Sequence, residues 1–409
     1  MSYRRLILLV GLLLVDSQSL WLEASKNPLR FPPQASSQME KKPVPRDLYA
    51  GDQECGSCHK DKLDSFFRTA HHLTSRQPSA GAIAGSFKPG ANILKTSNPA
   101  LFFRMDAKDG RFYETAVWGI PPSTSEETEP IDIVVGSGRK GQTYLYWRGD
   151  RLFQLPVSYW IEPGKWDNSP GYTDGEASFD RPVMPRCLEC HGAYAESLVQ
   201  SPVNNRYQRS SVVLGVSCER CHGPGREHVR RHGPDGTLSG AEAIVNPAKL
   251  ARDRDVEVCA QCHAGMRWPI APAFSYVPGE PLDEYLDRDR VDPSSEIDVH
   301  GGTVAHLLRS RCYQSSANMR CSTCHQIHEP QRDAAAFSVR CLTCHKSTDC
   351  GMSAKLGPKI ADDCIDCHMP VQRSKAIVAS SNGKQIRARV RNHWIKVYAE
   401  KCTGTDARD

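Results

Sequence analysis

The sequence lacks three features that would each define a class of protein. No apolar run is long enough to cross a bilayer, which takes about 20 residues, since the longest occupies residues 6–15 only. The charges nearly balance, with 52 Lys and Arg against 47 Asp and Glu, so composition alone predicts no strongly charged partner. Seventeen cysteines among 409 residues are too few for a disulfide scaffold, which has more than about 8% Cys.

Cys and His are also absent from residues 81–185, and both are found on either side of this gap. Fourteen of the seventeen cysteines form seven copies of the pattern C-x-x-C-H. The copies are Cys55/Cys58/His59, Cys187/Cys190/His191, Cys218/Cys221/His222, Cys259/Cys262/His263, Cys321/Cys324/His325, Cys341/Cys344/His345 and Cys364/Cys367/His368.

This spacing suits covalent attachment of a porphyrin. Two Cys three positions apart lie on one face of a helical turn, so their sulfurs can bond to the two vinyl groups of one haem. The next residue, His, then supplies the proximal nitrogen to the iron. Zinc ribbons also use C-x-x-C pairs, but they do not need a His after each pair, and a disulfide scaffold needs none. The pattern therefore predicts seven covalently attached haems c, each with its iron bound by the motif His.

The N-terminal residues are typical of an exported protein, as covalent haem attachment requires. Arg4 and Arg5 precede the apolar run, whose length matches the core of a secretory signal. We expect residues 1–25 to be a signal peptide or, if uncleaved, an N-terminal anchor, and residues 26–50 to be a Pro-containing linker. The predicted location is periplasmic or otherwise exported, and membrane-anchored if the signal is retained.

The motifs divide the remaining chain. We expect a first haem-binding segment at residues 51–80, a β-rich insert at 81–185, a six-haem core at 186–370 and a basic C-terminal tail at 371–409 that supplies a candidate distal His. The core motifs follow each other too closely for separate domains, so the haems must share one interior and stack. The predicted fold class is α+β, mainly short helices and loops around stacked haems, with the β-rich insert between the first and second haem sites.

The insert also contains a motif that resembles a nucleotide site. Alternating apolar and β-branched residues predict strands at residues 111–118, 131–135, 142–147 and 151–157. Residues 136–141 match G-x-G-x-x-G, but a strand rather than a helix is predicted to follow. We therefore interpret these glycines as a β-hairpin loop.

Eight His outside the motifs are candidates for the second axial ligand: His71, His72, His228, His232, His300, His306, His328 and His393. His71 and His72 are adjacent and point in different directions on a helix, so we expect only one of them to bind iron. About seven candidates then remain for seven irons, which favours bis-His haems with no position open to substrate. Met266 and Met369 are the other neutral candidates, and we interpret both as packing residues.

Three cysteines and the net charge need a separate interpretation. Cys312, Cys350 and Cys402 lie outside the motifs; two could pair in an oxidising compartment, but the sequence does not say which. The formal charge of +5 would fall to about −2 with seven ferric haems, since each adds about −1. We therefore predict no nucleic-acid partner.

Several stretches resemble the multihaem cytochromes of the c-552/c-554 type, a superfamily that includes the tetrahaem partner of hydroxylamine oxidoreductase. The matching stretches are residues 65–71, 218–225 with His228, 321–328, 364–370 and 393–395, and residues 135–142 and 166–172 are similar to a β insert in multihaem relatives. The resemblance implies a periplasmic, haem-stacked fold. It also implies that His71, His228, His328 and His393 are distal ligands.

Two functional classes fit these observations, because the superfamily contains both electron carriers and reductases. The first is an electron-transfer protein with redox partner proteins, among them a peripheral membrane or quinol-oxidising partner. The second is a reductase or oxidase of small nitrogen or sulfur compounds, which needs one iron with an open position. A docking subunit that acts through the β insert is compatible with the first class. All seven motifs end in His, which argues against the C-x-x-C-K active site of pentahaem nitrite reductases.

Overall fold

The computed structural model describes residues 41–120, 122–233, 243–287 and 301–402. The chain divides into two units, residues 1–38 and 39–409, and every described residue belongs to the second. The predicted signal segment, residues 26–40 of the predicted linker and His300 lie outside the described residues. Within the described ranges, no helix has both the length and the apolar character needed to cross a bilayer.

Strands predominate between the first and second motifs. Their bounds are β1 Ser75–Arg76, β2 Ile93–Lys95, β3 Leu101–Lys108, β4 Arg111–Ile120, β5 Ser123–Pro130, β6 Ile133–Val135, β7 Gly141–Arg148, β8 Arg151–Gln154, β9 Val157–Trp160, β10 Lys165–Asn168 and β11 Arg181–Pro182. Strands β2 to β5 form one antiparallel sheet in sequence order, and β1 and β6 to β11 form a second. The four predicted strands overlap β4, β6, β7 and β8, and the last one extends past the end of β8 to the first residue of β9.

The two sheets share an apolar core because their strands alternate buried and exposed residues. In β3, Leu101, Phe103 and Met105 are buried and the residues between them are half-exposed. They pack in one cluster with Tyr144 and Tyr146 of β7. Burial of each such side chain contributes roughly 1.5–3 kcal/mol.

The G-x-G-x-x-G segment is the loop of an antiparallel hairpin. It joins β6 to β7, and a strand rather than a helix follows it. Gly136 and Gly138 have φ angles of +110° and +79°, which residues with a Cβ rarely adopt. The predicted hairpin loop is confirmed.

Short helices surround the motifs. Their bounds are α1 Asp52–Gly56, α2 Lys60–Phe66, α3 Pro185–His191, α4 Glu219–His222, α5 Arg226–His232, α6 Arg252–His263, α7 Thr303–Leu308, α8 Arg311–Ser315, α9 Cys321–Cys324, α10 Ala334–Cys341, α11 Ser353–Leu356 and α12 Cys364–His368. A short ribbon of β12 Gly192–Tyr194 and β13 Val213–Leu214 follows the second motif. Helices and sheets in one chain confirm the α+β class.

The segment after the last motif forms a β-hairpin that the sequence analysis treated only as a basic tail. Strand β14 is Val371–Ser381 and β15 is Lys384–Arg391. Asn382 and Gly383 connect them with φ angles of +48° and +72°, as the most common two-residue hairpin turn requires. The hairpin packs through Ala379 and Ala388 against Trp160 at the end of β9.

Candidate haem-binding site

Each motif lies on or at the end of a short helix, which positions its two thiols and its imidazole. In four motifs the backbone N–H of the His donates to the carbonyl oxygen of the first Cys at 2.9–3.0 Å: His59, His222, His325 and His345. His191, His263 and His368 are the last residues of α3, α6 and α12. All seventeen cysteines lie in described residues and carry free thiols, so every motif thiol is available for a thioether bond.

Cys58 and Cys344 differ from the other motif cysteines in their surroundings. Both are exposed, whereas the others are half-buried, so the protein does not enclose the predicted attachment point at these two positions. Helix α1 ends at Gly56 and α10 ends at Cys341, so Cys58 and Cys344 lie in the turns that follow these helices. Such turns face water. The shared interior expected for the core motifs and the role of Cys58 and Cys344 as haem anchors both stay predictions.

Three motif imidazoles each face an imidazole from outside the motifs. The ring centres are 6.0 Å apart for His71 and His263, and 6.0 Å apart for His222 and His328. They are 6.3 Å apart for His325 and His393. The fold therefore brings residues from distant parts of the chain into three pairs with nearly the same spacing.

This spacing fits two ligands on opposite sides of one metal ion. A metal–imidazole bond is about 2 Å long and the ring centre lies roughly 1 Å beyond the nitrogen, so two such rings have centres about 6 Å apart. Two aromatic rings stacked face to face have closer centres, as the rings of His72 and Phe67 show at 4.0 Å. The three pairs thus fit an iron held by two His.

Hydrogen bonds at Nδ1 set the tautomer of three candidate iron ligands, not all of which belong to the three pairs. Nδ1–H donates to a backbone carbonyl oxygen in His222 (Val245, 2.8 Å), His368 (Lys396, 3.0 Å) and His393 (Arg391, 3.0 Å). His191 Nδ1 instead lies 3.0 Å from the hydroxyl of Thr74. In a neutral ring with a proton on Nδ1, Nε2 keeps its lone pair for a metal.

Desolvation lowers the pKa of five of the six paired imidazoles. It lowers the pKa of His263 to about 4, with a further contribution from the neighbouring His71. It also lowers the pKa of His393 to about 4. Burial likewise lowers the pKa values of His71, His325 and His328. Because only a neutral imidazole binds a metal, these environments suit ligation at neutral pH.

The remaining candidates have other surroundings. His72 stacks on Phe67, and its Nδ1 lies 3.9 Å from an Asp52 oxygen. His228 and His232 are neighbours on α5 with ring centres 4.5 Å apart, too close for opposite ligands of one iron. His306 is buried, with Nδ1 3.1 Å from Oδ1 of Asn392. These surroundings differ from those of the three pairs.

Four residues that were not predicted from the sequence join the second, third and fourth motifs. Arg186 donates to the Gln261 carbonyl oxygen at 2.5 Å, and Gln261 Nε2 donates to the Arg220 carbonyl oxygen at 2.9 Å. Arg220 donates to the Glu189 carbonyl oxygen at 2.9 Å. All four side chains are buried. The signal was a polar residue inside three C-x-x-C pairs (Glu189, Arg220 and Gln261) and Arg186 directly before the first of them, but only the fold shows that these residues meet.

Thiols of different motifs also lie side by side. Cys55 is beside Cys218, Cys190 is beside Cys262, and Cys259 is beside Cys321. Of the cysteines outside the motifs, Cys402 lies beside Cys367. Attachment points from different motifs are therefore neighbours in space, although the motifs are not neighbours in sequence.

Comparison with known proteins agrees with this reading of the residues. The family model for cytochrome c554 and c-prime matches residues 168–223, which include the second and third motifs. The C-type polyheme cytochrome OmcC of Geobacter sulfurreducens is 27% identical over 169 residues, which cover 36% of this chain and 20% of that protein. The dissimilatory sulfite reductase MccA of Wolinella succinogenes is 21% identical over 378 residues, which cover 82% of this chain and 49% of that protein.

The fold has a solved relative. The crystal structure of the outer cell wall cytochrome OcwA superposes with a TM-score of 0.53 at 17% identity, and covers 85% of this chain and 80% of that chain. This chain spans only about a fifth of OmcC and about half of MccA, so the likeness extends to part of each. Together with the repeated C-x-x-C-H motifs, these matches show that the chain is a multihaem c-type cytochrome.

Proposed function

We propose that the protein is an exported heptahaem cytochrome that transfers electrons along a chain of mostly bis-His haems. The observation that carries this proposal is the spacing of 6.0–6.3 Å between three motif imidazoles and three imidazoles from elsewhere in the chain. When bound, haem supplies an iron that alternates between the ferric and ferrous states. The seven Cys pairs would hold the porphyrins, and the paired His would close both axial positions.

Neighbouring attachment points support transfer between centres. The thiol contacts connect the first motif to the third, the second to the fourth, and the fourth to the fifth. The buried network of Arg186, Glu189, Arg220 and Gln261 holds three of these motifs in a fixed arrangement. The residues thus favour a connected set of centres whose order differs from the order of the motifs in the sequence.

The exposed cysteines add a route to the outside of the protein. Cys58 and Cys344, the two exposed motif cysteines, belong to the first and sixth motifs. Haems attached there would have an edge in contact with water. Such edges are accessible to a redox partner, which favours the first and sixth centres as points of electron entry or exit.

Export and partners are part of the same proposal. Residues 6–15 have the length of a secretory signal core, and the solved relative is named an outer cell wall cytochrome. We propose a periplasmic or otherwise exported location, with redox proteins as partners, among them a peripheral membrane or quinol-oxidising protein. Nucleic acid is not among the proposed partners, because seven haems would make the net charge slightly negative, about −2.

The spin state of the ferric holoprotein tests the proposal. Optical absorption and electron paramagnetic resonance, at a measured haem content, are expected to show seven haems per chain, nearly all low-spin. A haem content below seven would contradict the count. A high-spin signal from several haems would contradict the bis-His arrangement.

A reductase of small nitrogen or sulfur compounds is the second candidate. The match to the sulfite reductase MccA favours it, because that match covers 82% of this chain. This function needs one iron with an open position. It predicts one high-spin haem and steady-state consumption of sulfite with a viologen donor. An electron carrier would instead take up electrons until its haems are reduced and would consume no sulfite.

The hydroxyl of Thr74 is expected to tune the potential of the centre at the second motif. With Nε2 on iron, His191 Nδ1–H donates to this hydroxyl, which makes the ring a better electron donor and stabilises ferric iron. Thr74→Val should therefore raise the potential of one haem by up to about 40 mV, the electrical equivalent of a hydrogen bond worth about 1 kcal/mol. A spectroelectrochemical titration measures this shift, and Thr74→Ser should restore the original value. An unchanged or lower potential would be inconsistent with this role.

A further inference from the structure

The C-terminal hairpin, residues 371–391, carries basic residues and no acidic ones. Six of its residues are Lys or Arg and none is Asp or Glu. They are Arg373, Lys375, Lys384, Arg387, Arg389 and Arg391. This concentration of positive charge contrasts with the whole chain, in which positive and negative charges nearly balance.

The hairpin has one apolar face and one basic face. Ile386 and Ala388 of β15 pack towards Trp160 of β9. Arg387 and Arg389 alternate with them along the strand and therefore point to the opposite side. Arg373 of β14 lies directly opposite Arg389 in the antiparallel register. We call Arg373, Arg387 and Arg389 the basic face.

The basic face is not neutralised within the described residues. Two like charges directly opposite each other in a sheet destabilise it, so Arg373 and Arg389 oppose folding rather than support it. The nearest acidic contact is Glu162, 3.5 Å from Arg389, and both side chains are about half exposed at 52% and 46%. An exposed pair of this kind contributes only about 0–1 kcal/mol. Such an arrangement is better explained by an anionic partner.

Arg391 connects this hairpin to the seventh motif. Its Nη1 donates to the carbonyl oxygens of Ile365 at 3.0 Å and Met369 at 2.9 Å, and its Nη2 lies 2.9 Å from Asp366. These residues belong to, or directly follow, the helix that carries Cys364, Cys367 and His368. A partner bound to the basic face would therefore lie close to the seventh haem-binding motif.

We propose that the basic face docks an acidic redox protein that exchanges electrons at the seventh motif, an inference that rests on the proposed electron-transfer function. Planar guanidinium groups match carboxylates in two-point contacts, which favours a protein rich in Asp and Glu. The hairpin contains no Phe, Tyr or Trp, the residues that anchor proteins at a membrane interface. Docking by opposite charges accelerates encounter and depends strongly on salt.

Stopped-flow reduction of the ferric holoprotein tests this proposal, with reduced flavodoxin as the acidic probe. Each step moves one electron from the anionic flavin hydroquinone, which becomes the neutral semiquinone with no change in protons, to one ferric haem, which becomes ferrous. The variant Arg373→Gln/Arg389→Gln is expected to react about 10-fold more slowly at low ionic strength. The difference should vanish near 1 M salt, where the screening length is only about 3 Å.

A second hairpin provides the matched control. Lys108 and Arg111 are opposite each other beside the turn between β3 and β4, and both are exposed. Lys108→Gln/Arg111→Gln removes the same charge and should leave the flavodoxin rate unchanged. Equal loss in both variants would assign the effect to net charge and overturn the docking site.

Three further results separate this proposal from its alternatives. A viologen radical, which needs no docking, should reduce the wild type and both variants equally; failure to reduce the wild type would overturn the electron-transfer function itself. A changed haem spectrum in the Arg373/Arg389 variant would assign these arginines to haem binding instead. Salt-sensitive binding to anionic lipid vesicles, lost in this variant while the flavodoxin rate is unchanged, would assign the face to a membrane.

Discussion

Replacing His71 by alanine is expected to convert one haem from low spin to high spin. His71 faces His263 across 6.0 Å, the spacing of two axial ligands on one iron, and burial keeps its ring neutral by lowering its pKa. His71→Ala removes one of these ligands and leaves the iron bound by His263 alone. About one haem in seven should then give a high-spin ferric signal in electron paramagnetic resonance.

The neighbouring His72 provides a closely matched control. It differs by one position but stacks on Phe67 at 4.0 Å instead of facing a motif imidazole. His72→Ala should therefore leave the haem spectrum unchanged. The opposite result, with high-spin haem in His72→Ala and none in His71→Ala, would transfer the ligand role to His72.

Two additional measurements separate loss of a ligand from loss of folding. Added imidazole should return the His71→Ala protein to the low-spin state, because it can occupy the vacated axial position. His71→Met should stay low-spin, but the potential of one haem should rise, since Met in place of His raises the potential. A His71→Met protein with an unchanged potential would argue against ligation at this position.

The local chemistry of the site was predictable from the sequence because it depends on residues close together in the chain. Cys364, Cys367 and His368 occupy one helical turn, so their spacing alone predicts what they can bind. The strands around Tyr144 were predictable for the same reason, since alternation along a strand is a local pattern. The turn at Asn382 and Gly383 carried an equally local signal for a hairpin, which the sequence analysis did not use.

The pairing of imidazoles was not predictable, because it depends on contacts between distant segments. His71 follows the first motif but faces the His of the fourth, and His328 follows the fifth motif but faces the His of the third. Only the resemblance of residues 65–71 to the c-552/c-554 type distinguishes His71 from His72 in the sequence. Only the packing of the segment against α6 sets His71 beside His263. The interaction between Arg220 and Glu189 was hidden for the same reason.

The exposure of single motif residues was equally beyond the sequence. Cys58 and Cys344 have the same motif spacing as Cys190, yet Cys190 is half-buried and they are exposed. Cys190 is covered because Cys262 of another helix lies beside it. Such cover comes from a distant segment, so the motif predicts what a cysteine can bind but not how much water reaches it.

A buried carboxyl group in the β-rich segment should make the protein less stable as the pH rises. Glu114 of β4 is fully buried; its Oε2 accepts a hydrogen bond from the Val157 N–H at 3.1 Å, and its Oε1 has no partner among the described residues. Burial raises its pKa well above 4.5, and the Val157 hydrogen bond opposes this shift. The folded protein therefore keeps this proton at pH values where the unfolded chain releases it.

The sign of the effect follows from this difference in proton binding. Below pH 4.5 both states hold the proton, and the stabilisation from the buried neutral acid is fully present. Above pH 4.5 the unfolded state loses the proton first, so the free energy of unfolding falls by about 1.4 kcal/mol per pH unit. The fall ends at the raised pKa of the folded state. Glu114→Gln removes this titration and keeps an oxygen to accept the Val157 hydrogen bond.

Calorimetry of the holoprotein between pH 5 and pH 8 can measure this contribution, since both ends lie above the ordinary pKa of Glu, about 4.3. The melting temperature of the wild type should fall more steeply with rising pH than that of Glu114→Gln, so the variant should be the more stable protein at pH 8. Glu127→Gln, an exposed change on the neighbouring strand β5, is the control and should retain the slope of the wild type. Parallel curves for the wild type and Glu114→Gln would mean that Glu114 has the same pKa in both states. Its carboxyl would then be in contact with water, in contrast to the closed core between the two sheets.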